Sequence, residues 1–122
     1  TDIRAHGVPC AMCTSSNKRI MSVIASMVPE FEFIVDGDDV KNPKPDPEGY
    51  LQAMRRLGVG PEEVVIIEDS VPGTDAASAT GAVVLAVPLL GRPGAAPRRV
   101  LREGGLRGLD FECLEKIWRS QW

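Results

Sequence analysis

Several features that define whole classes of protein are missing from this sequence. No apolar run approaches the ~20 residues that a membrane-spanning helix needs, and the polar opening TDIRAHG is unlike a signal peptide. The net charge is only −3, with acidic and basic side chains interleaved, so nothing indicates a nucleic-acid or membrane surface. We therefore expect a cytoplasmic protein with neither nucleic acid nor membrane among its partners.

Cysteine is scarce as well, with three in the chain. An odd number without secretory features indicates reduced thiols. Cys10 and Cys13 have the CxxC spacing, but they lie in VPCAMCT, which is predicted to be a strand. Side chains three apart in a strand point to opposite faces, so the pair suits neither a zinc site nor a redox motif. We interpret both as structural cysteines.

What the sequence does contain is an alternation of short apolar runs and helical patterns. The predicted strands span residues 8–14, 31–37, 64–67 and 82–88. The predicted helices span residues 16–28, 47–57 and 71–81, followed by two short ones at 97–105 and 110–118. This order predicts βαβ units, and hence an α/β domain with a parallel sheet and flanking helices.

Polar side chains follow three of the predicted strands. Thr14, Asp36, Glu68 and Asp69 all stand at or near the point where a strand ends. Ligands of parallel sheets gather at the carboxyl ends of the strands. We therefore expect these side chains to converge on one site.

The first candidate stretch is CTSSN, where a strand passes into a helix. Backbone N–H groups at a helix start can bind an anion, and Thr14 or Ser15 can add a hydroxyl donor. Serine and threonine also cap helices for purely structural reasons, so this stretch alone favours capping.

The second stretch is KNPKPDPEG, which holds Lys44 between two prolines. Prolines fix the local backbone, so Lys44 is held in place. Such a lysine could neutralise a phosphate or a carboxylate nucleophile, or it could simply be a solubilising surface residue.

The third stretch is VVIIEDSVPG, which places Glu68 and Asp69 side by side at a strand end. Two carboxylates repel each other unless a cation or a hydrogen-bond donor is near. The pair suits Mg²⁺, which takes one or two carboxylates plus waters and substrate phosphate. Alternatively, Asp69 or Ser70 caps the next helix and Glu68 pairs with a lysine, while Gly73 allows a close approach to the backbone.

Taken in order, CTSSN, PKPDPEGY and VVIIEDSVPGTDAASATGA closely resemble the second, third and fourth motifs of the haloacid dehalogenase (HAD) superfamily of phosphohydrolases. The resemblance covers about residues 1–90 and is strongest to the β-phosphoglucomutase-like and pseudouridine-5′-phosphatase-like branch. It implies a HAD-like Rossmannoid fold and a Mg²⁺-dependent enzyme that acts on a small phosphorylated metabolite.

The resemblance also implies residue roles. Thr14 would hydrogen-bond the transferred phosphoryl group, with the Ser15 amide helping to bind it. Lys44 would bridge the nucleophile and the phosphate, so that Thr14 and Lys44 would be catalytic as well as substrate-binding. Asp69 would bind Mg²⁺ directly or through water, with Glu68 in support.

One part of the family pattern is missing from these residues. The family's nucleophile is an aspartate of a DxD motif on an N-terminal strand, and no such motif precedes Thr14. The DGDD at 36–39 follows the second predicted strand and is interpreted as a turn. In the family, the missing strand is the central one, between the strands that carry Thr14 and Asp69. We therefore expect residues 1–122 to be the C-terminal part of a HAD-like core domain, without the nucleophile strand and the cap domain.

We predict that the intact enzyme is a phosphatase working through an aspartyl-phosphate, and that the 122-residue chain alone is inactive. The missing N-terminal segment or another chain would complete its sheet. A phosphomutase of the same branch and a non-catalytic binding or assembly module are the alternatives. A receiver-like signalling domain is disfavoured, because the lysine precedes the acidic strand.

Overall fold

The computed structural model describes residues 5–14, 31–88, 91–103, 105–106 and 108–122. The elements within these ranges are β1 (Met12–Cys13), β2 (Ile34–Val35), α1 (Glu48–Leu57), a 3₁₀ turn (Pro61–Glu63), β3 (Val65–Glu68), α2 (Val71–Ser78), β4 (Val83–Ala86), β5 (Arg99–Leu101) and α3 (Phe111–Ser120). The predicted helix at 16–28 and the candidate residue Ser15 lie outside the described residues.

The strands form two parallel sheets. β1 pairs with β2, with Met12 opposite Ile34. The second sheet has the order β3-β4-β5 and is parallel throughout. In the described part of the chain, β1 and β3 are not hydrogen-bonded to each other. The predicted α/β fold with parallel strands and flanking helices is confirmed.

The hydrophobic core lies around β4, whose four residues are all fully buried. Side chains from α1, β3 and α2 pack into one cluster with it; the cluster consists of Tyr50, Met54, Ile66, Ala76, Ala77, Ala82 and Val84. The small side chains of α2 let that helix lie close to the sheet. Burial on both faces explains why β4 has a continuous apolar sequence rather than an alternating one.

Helix α1 begins and ends much as its sequence predicts. The Glu48 N–H donates to Asp46 Oδ1 at 2.9 Å, although the helix begins one residue later than expected. Gly58 ends it with a φ of 72°, and its N–H donates to the Arg55 carbonyl. The left-handed conformation favours glycine, so the predicted C-terminal stop is confirmed.

The helix predicted over residues 97–105 is wrong. Arg99–Leu101 instead form β5, which is parallel to β4. Val84 donates its N–H to the Arg98 carbonyl, and Arg102 donates its N–H to the Ala86 carbonyl. The exposed backbone edge of β4 needs hydrogen-bond partners, and that tertiary demand overrides the weak helical pattern of a short segment.

The last predicted helix is present as α3. Asp110 is its N-cap and accepts the Cys113 N–H at 2.9 Å. Trp118 Nε1 donates to the Glu62 carbonyl at 2.9 Å and so ties α3 to the 3₁₀ turn before β3. Across the described ranges, no helix is both long and apolar enough to cross a membrane.

Candidate active site

The carboxyl ends of β1 and β3 come together at one lysine. Lys44 Nζ donates to the carbonyl of Cys13 at 3.2 Å and to Glu68 Oε2 at 2.7 Å. Cys13 is the last residue of β1 and Glu68 is the last residue of β3. The lysine therefore links the carboxyl ends of the two sheets.

A small hollow lies beside this lysine. It has a volume of about 20 Å³, room for about one water molecule. Thr14, Asp36 and Lys44 line it, together with the loop residues Asn42 and Pro43. The structure thus brings the predicted residues Thr14 and Lys44 to one cavity, while Asp69 is an exposed residue that follows β3.

The Glu68 carboxylate is buried, with 7% of the residue exposed, and it is surrounded by donors. Its Oε2 atom accepts from Lys44 Nζ and from the Tyr50 hydroxyl, and its Oε1 atom accepts from the Asp69 N–H. These contacts explain how the adjacent carboxylates of Glu68 and Asp69 are tolerated at a strand end, because one cation and two further hydrogen-bond donors offset the charge of Glu68. The alternative in which Glu68 pairs with a lysine is confirmed; its supporting role at a metal stays a prediction.

The backbone of Gly73 packs directly against the Glu68 carboxylate. A Cβ atom at this position would lie 2.0 Å from Glu68 Oε2 and 2.2 Å from Cδ, which no packing tolerates. The predicted close approach at Gly73 is therefore confirmed. Ser70 is the N-cap of α2 and its Oγ accepts the Gly73 N–H at 3.0 Å, as one of the capping alternatives predicted.

The loop that carries Lys44 is closed by Glu48 in the first turn of α1. The Glu48 carboxylate accepts the backbone N–H groups of Lys41 at 2.7 Å and Asn42 at 3.2 Å. These hydrogen bonds, that from Lys41 first, lower the pKa of Glu48 below its ordinary value. The Lys44 side chain is only 15% exposed, so the solubilising interpretation of this lysine is wrong.

Tyr50 is the site residue that sequence reasoning missed. The helical spacing of the apolar residues of α1 predicts only that Tyr50 lies on the buried face of this helix. In the structure its buried hydroxyl donates to Glu68. Its ring lies beneath Lys44, with Nζ 4.9 Å from the centroid. Burial first, and then the hydrogen bond to Glu68, raise the pKa of Tyr50 far above its ordinary value, so the phenol stays neutral. A signal did exist, because a tyrosine at a core position needs a partner for its hydroxyl.

Cys13 lies beside the same groups as a protonated thiol. Burial raises the pKa of Cys13 to about 11, while Lys44 lowers it and Glu68 raises it further. Cys10, Cys13 and Cys113 are reduced cysteines. These observations agree with the interpretation of Cys10 and Cys13 as structural cysteines.

The acidic segment after β2 forms the predicted turn. Asp36 donates its N–H to Asp39 Oδ2 at 3.0 Å, and Asp38 donates its N–H to Asp36 Oδ1 at 2.9 Å. Asp36 is 5% exposed, and its Oδ1 atom is one of the acceptors that hold this turn.

The donor chemistry at the end of β3 fits Mg²⁺, although the described residues contain no cluster of three or more acidic, histidine or cysteine side chains. Mg²⁺ is usually held by one or two carboxylates together with waters and substrate phosphate. Asp69 offers an exposed carboxylate at the strand end, directly after Glu68. Asp69 could therefore contribute one carboxylate to such an ion.

Fold and site together define an α/β protein with a lysine-centred polar site at the carboxyl ends of parallel strands. The chain matches the family model of haloacid dehalogenase-like hydrolases over residues 1–81. This match covers the larger part of the chain, so the chain belongs to the haloacid dehalogenase-like hydrolases, a family of enzymes.

Individual relatives agree with this assignment. The chain is 40% identical over 90 residues to a phosphorylated carbohydrates phosphatase of Thermotoga maritima, which covers 62% of this chain and 42% of that protein. Among solved structures, CbbY from Rhodobacter sphaeroides in complex with phosphate has a TM-score of 0.82 at 25% identity, covering 93% of this chain and 54% of that one. A β-phosphoglucomutase from Clostridium difficile shares the fold, with a TM-score of 0.79 at 24% identity over 98% of this chain and 52% of that one.

The chain spans only part of the proteins that it matches. Its aligned segment covers between 24% and 42% of the first curated relatives. It covers about half of the two solved structures above.

Proposed function

We propose that this chain supplies the phosphate-binding side of a Mg²⁺-dependent phosphomonoester hydrolase that works through an aspartyl-phosphate intermediate. One observation carries the proposal: the Lys44 ammonium is held at the junction of two strand ends, beside a hollow that Thr14 also lines. Phosphoryl transfer depends mainly on positioning and on the neutralisation of charge, and a fixed ammonium contributes to both.

The hydrogen bonds of Lys44 leave it able to bind an anion. An ammonium group has three N–H donors. Among the described residues, Cys13 and Glu68 accept from Lys44, which leaves one of its donors for a phosphate oxygen or for an attacking carboxylate. In this proposal Thr14 binds the same phosphoryl group from the other side of the hollow, with the Ser15 amide assisting.

Charge counting explains why a metal ion belongs to the proposal. Lys44 and Glu68 largely cancel each other, which leaves the Asp69 carboxylate facing an incoming phosphate dianion. Mg²⁺ held by Asp69, with Glu68 in support, would supply the missing positive charge.

The nucleophilic aspartate comes from polypeptide outside the described strands in this proposal. Asp36 is tied into a turn and Glu68 is tied to Lys44. A further parallel strand between β1 and β3 would bring an aspartate next to Lys44 and would cover Ile67 of β3, which is 38% exposed. An N-terminal segment of the same gene product, or another chain, would provide it.

The substrate that we propose is a small phosphorylated metabolite handled in the cytoplasm, with no nucleic acid or membrane as a partner. The Thermotoga maritima relative is named for phosphorylated carbohydrates, which supports a substrate of that size. Water is the default acceptor of the phosphoryl group, so hydrolysis is favoured over transfer to a second sugar hydroxyl.

The test compares the protein made from the complete open reading frame with the 122-residue chain. The complete protein should hydrolyse p-nitrophenyl phosphate in the presence of Mg²⁺, and its turnover should cease when EDTA is added. The 122-residue chain should show no turnover. Asp69→Asn should lower kcat/KM about a hundredfold or more, because it removes the metal carboxylate. Lys116→Ala, at a lysine side chain that is 77% exposed, is the control and should leave turnover unchanged.

Two results would overturn the proposal. The first is turnover that persists in EDTA or at the wild-type rate in Asp69→Asn. The second is a complete, folded protein that hydrolyses no phosphomonoester, which would favour the non-catalytic assembly module.

A further inference from the structure

The family resemblance assigns no role to the hydroxyl of Tyr50, yet this buried group lies at the centre of the site. Tyr50 is 8% exposed and belongs to the core cluster together with Met54 and Ile66. Its hydroxyl donates to the same Oε2 atom of Glu68 that accepts from Lys44. One carboxylate oxygen thus accepts hydrogen bonds from both a rigidly held hydroxyl and a flexible lysine.

We propose that Tyr50 is a positioning residue that acts through Glu68: its hydroxyl fixes the carboxylate that anchors Lys44 at the strand ends. The inference rests on the proposed function, since it concerns the lysine that binds phosphate there.

The need for such a residue follows from side-chain flexibility. A glutamate carboxylate rotates freely about its last side-chain torsion, and a lysine side chain has four rotatable bonds. The Asp69 N–H and the backbone at Gly73 limit the carboxylate from two sides, but neither contacts Oε2 as a donor. Among the described contacts, the Tyr50 hydroxyl is the Oε2 donor that is carried on a packed, rigid ring.

Two parts of Tyr50 can be separated experimentally. Its ring packs in the core and lies 4.9 Å from Lys44 Nζ, while its hydroxyl contacts Glu68. Tyr50→Phe keeps the ring and removes only the hydroxyl. Met54→Leu changes a buried side chain on the same face of α1 one turn later, and no described hydrogen bond joins Met54 to Glu68. It is the matched control because methionine and leucine have similar volumes.

The first experiment needs no activity. The protein from the complete open reading frame is labelled with tyrosine carrying ¹³C at Cζ, and the resonance that disappears in Tyr50→Phe is assigned to Tyr50. Glu68→Gln should shift this resonance, because the charged acceptor of the hydroxyl is lost. Met54→Leu should leave it within the linewidth. An unchanged Tyr50 resonance in Glu68→Gln would overturn the inference, whether or not the protein hydrolyses phosphate esters.

The second experiment is a double-mutant cycle on phosphomonoester turnover. Tyr50→Phe should lower kcat about tenfold, the usual effect of losing one hydrogen bond to a charged group, with a smaller change in KM. In a Glu68→Gln background the same substitution should change kcat less than twofold, because Tyr50 acts through Glu68. Equal effects in both backgrounds would contradict a positioning role and would assign Tyr50 to packing alone.

Discussion

The tightest contact in the site gives the sharpest prediction, which is the effect of Gly73→Ala. Gly73 lies in the first turn of α2, and a Cβ atom there would fall 2.0 Å from Glu68 Oε2. The backbone of α2 is held by the Ser70 cap, so the Glu68 side chain must move instead. Moving it breaks its hydrogen bonds to Lys44 and Tyr50.

The magnitude follows from these two contacts. A hydrogen bond to a charged group contributes about 1.5–3 kcal/mol, so losing both costs about 3–6 kcal/mol. Alanine in place of glycine stabilises a helix by about 0.5–1 kcal/mol, which offsets part of this loss. Gly73→Ala should therefore lower the free energy of unfolding by about 2–5 kcal/mol.

The assay is urea unfolding followed by far-ultraviolet circular dichroism. Gly94→Ala is the matched control, since a Cβ at Gly94 has no neighbour within 4 Å, and it should change the unfolding free energy little. In a Glu68→Ala background the collision is gone, so Gly73→Ala should become neutral or slightly stabilising. Wild-type stability of Gly73→Ala in the native background would refute the reasoning.

Two further predictions concern titratable groups near the site. The pKa of about 11 at Cys13, against an ordinary value of 9.0, should slow its reaction with iodoacetamide at pH 8 about a hundredfold relative to the urea-unfolded chain. Mass spectrometry of the alkylated peptide measures this, and equal rates in both states would contradict it. The pKa of Glu48 is lower in the folded protein than its unfolded value of 4.5. The charged carboxylate therefore stabilises the fold at pH values above 4.5, and this stabilisation is lost as the pH falls through the pKa of the folded state. At pH 7, Glu48→Gln should therefore have a lower urea midpoint of unfolding than wild type, and the difference between the two midpoints should become smaller in acid. A difference that does not change with pH would argue against the charged contact.

The parallel fold was predictable from the sequence because its signals are local. The continuous apolar run before Glu68 predicts the strand β3, although the structure leaves Ile67 of that strand 38% exposed rather than buried. Gly58 predicts the end of α1 through its left-handed backbone. Thr14 and Lys44, which the family resemblance assigns to one site, line the same hollow.

The remaining features depend on tertiary contacts that no local pattern contains. The strand at Arg99–Leu101 exists because β4 offers it a backbone partner, and its own three residues carry no strand signal strong enough to predict it. Tyr50 was missed for a related reason, because helical spacing identifies a buried face but not the hydroxyl's partner 18 positions away. The pairing of Glu68 with Lys44 remained one of two sequence alternatives until the structure brought their atoms to 2.7 Å.

The central claim is that the held ammonium of Lys44 offsets the charge of a bound phosphate. The direct measurement is the inhibition constant of orthophosphate against phosphomonoester turnover at fixed Mg²⁺, compared between wild type, Lys44→Ala and Lys116→Ala. A single ion pair at 4 Å contributes up to about 4 kcal/mol in a partly buried site, so Lys44→Ala should raise that constant at least about tenfold even after heavy screening. Lys116→Ala should leave it unchanged. An inhibition constant in Lys44→Ala equal to that of wild type would contradict the account.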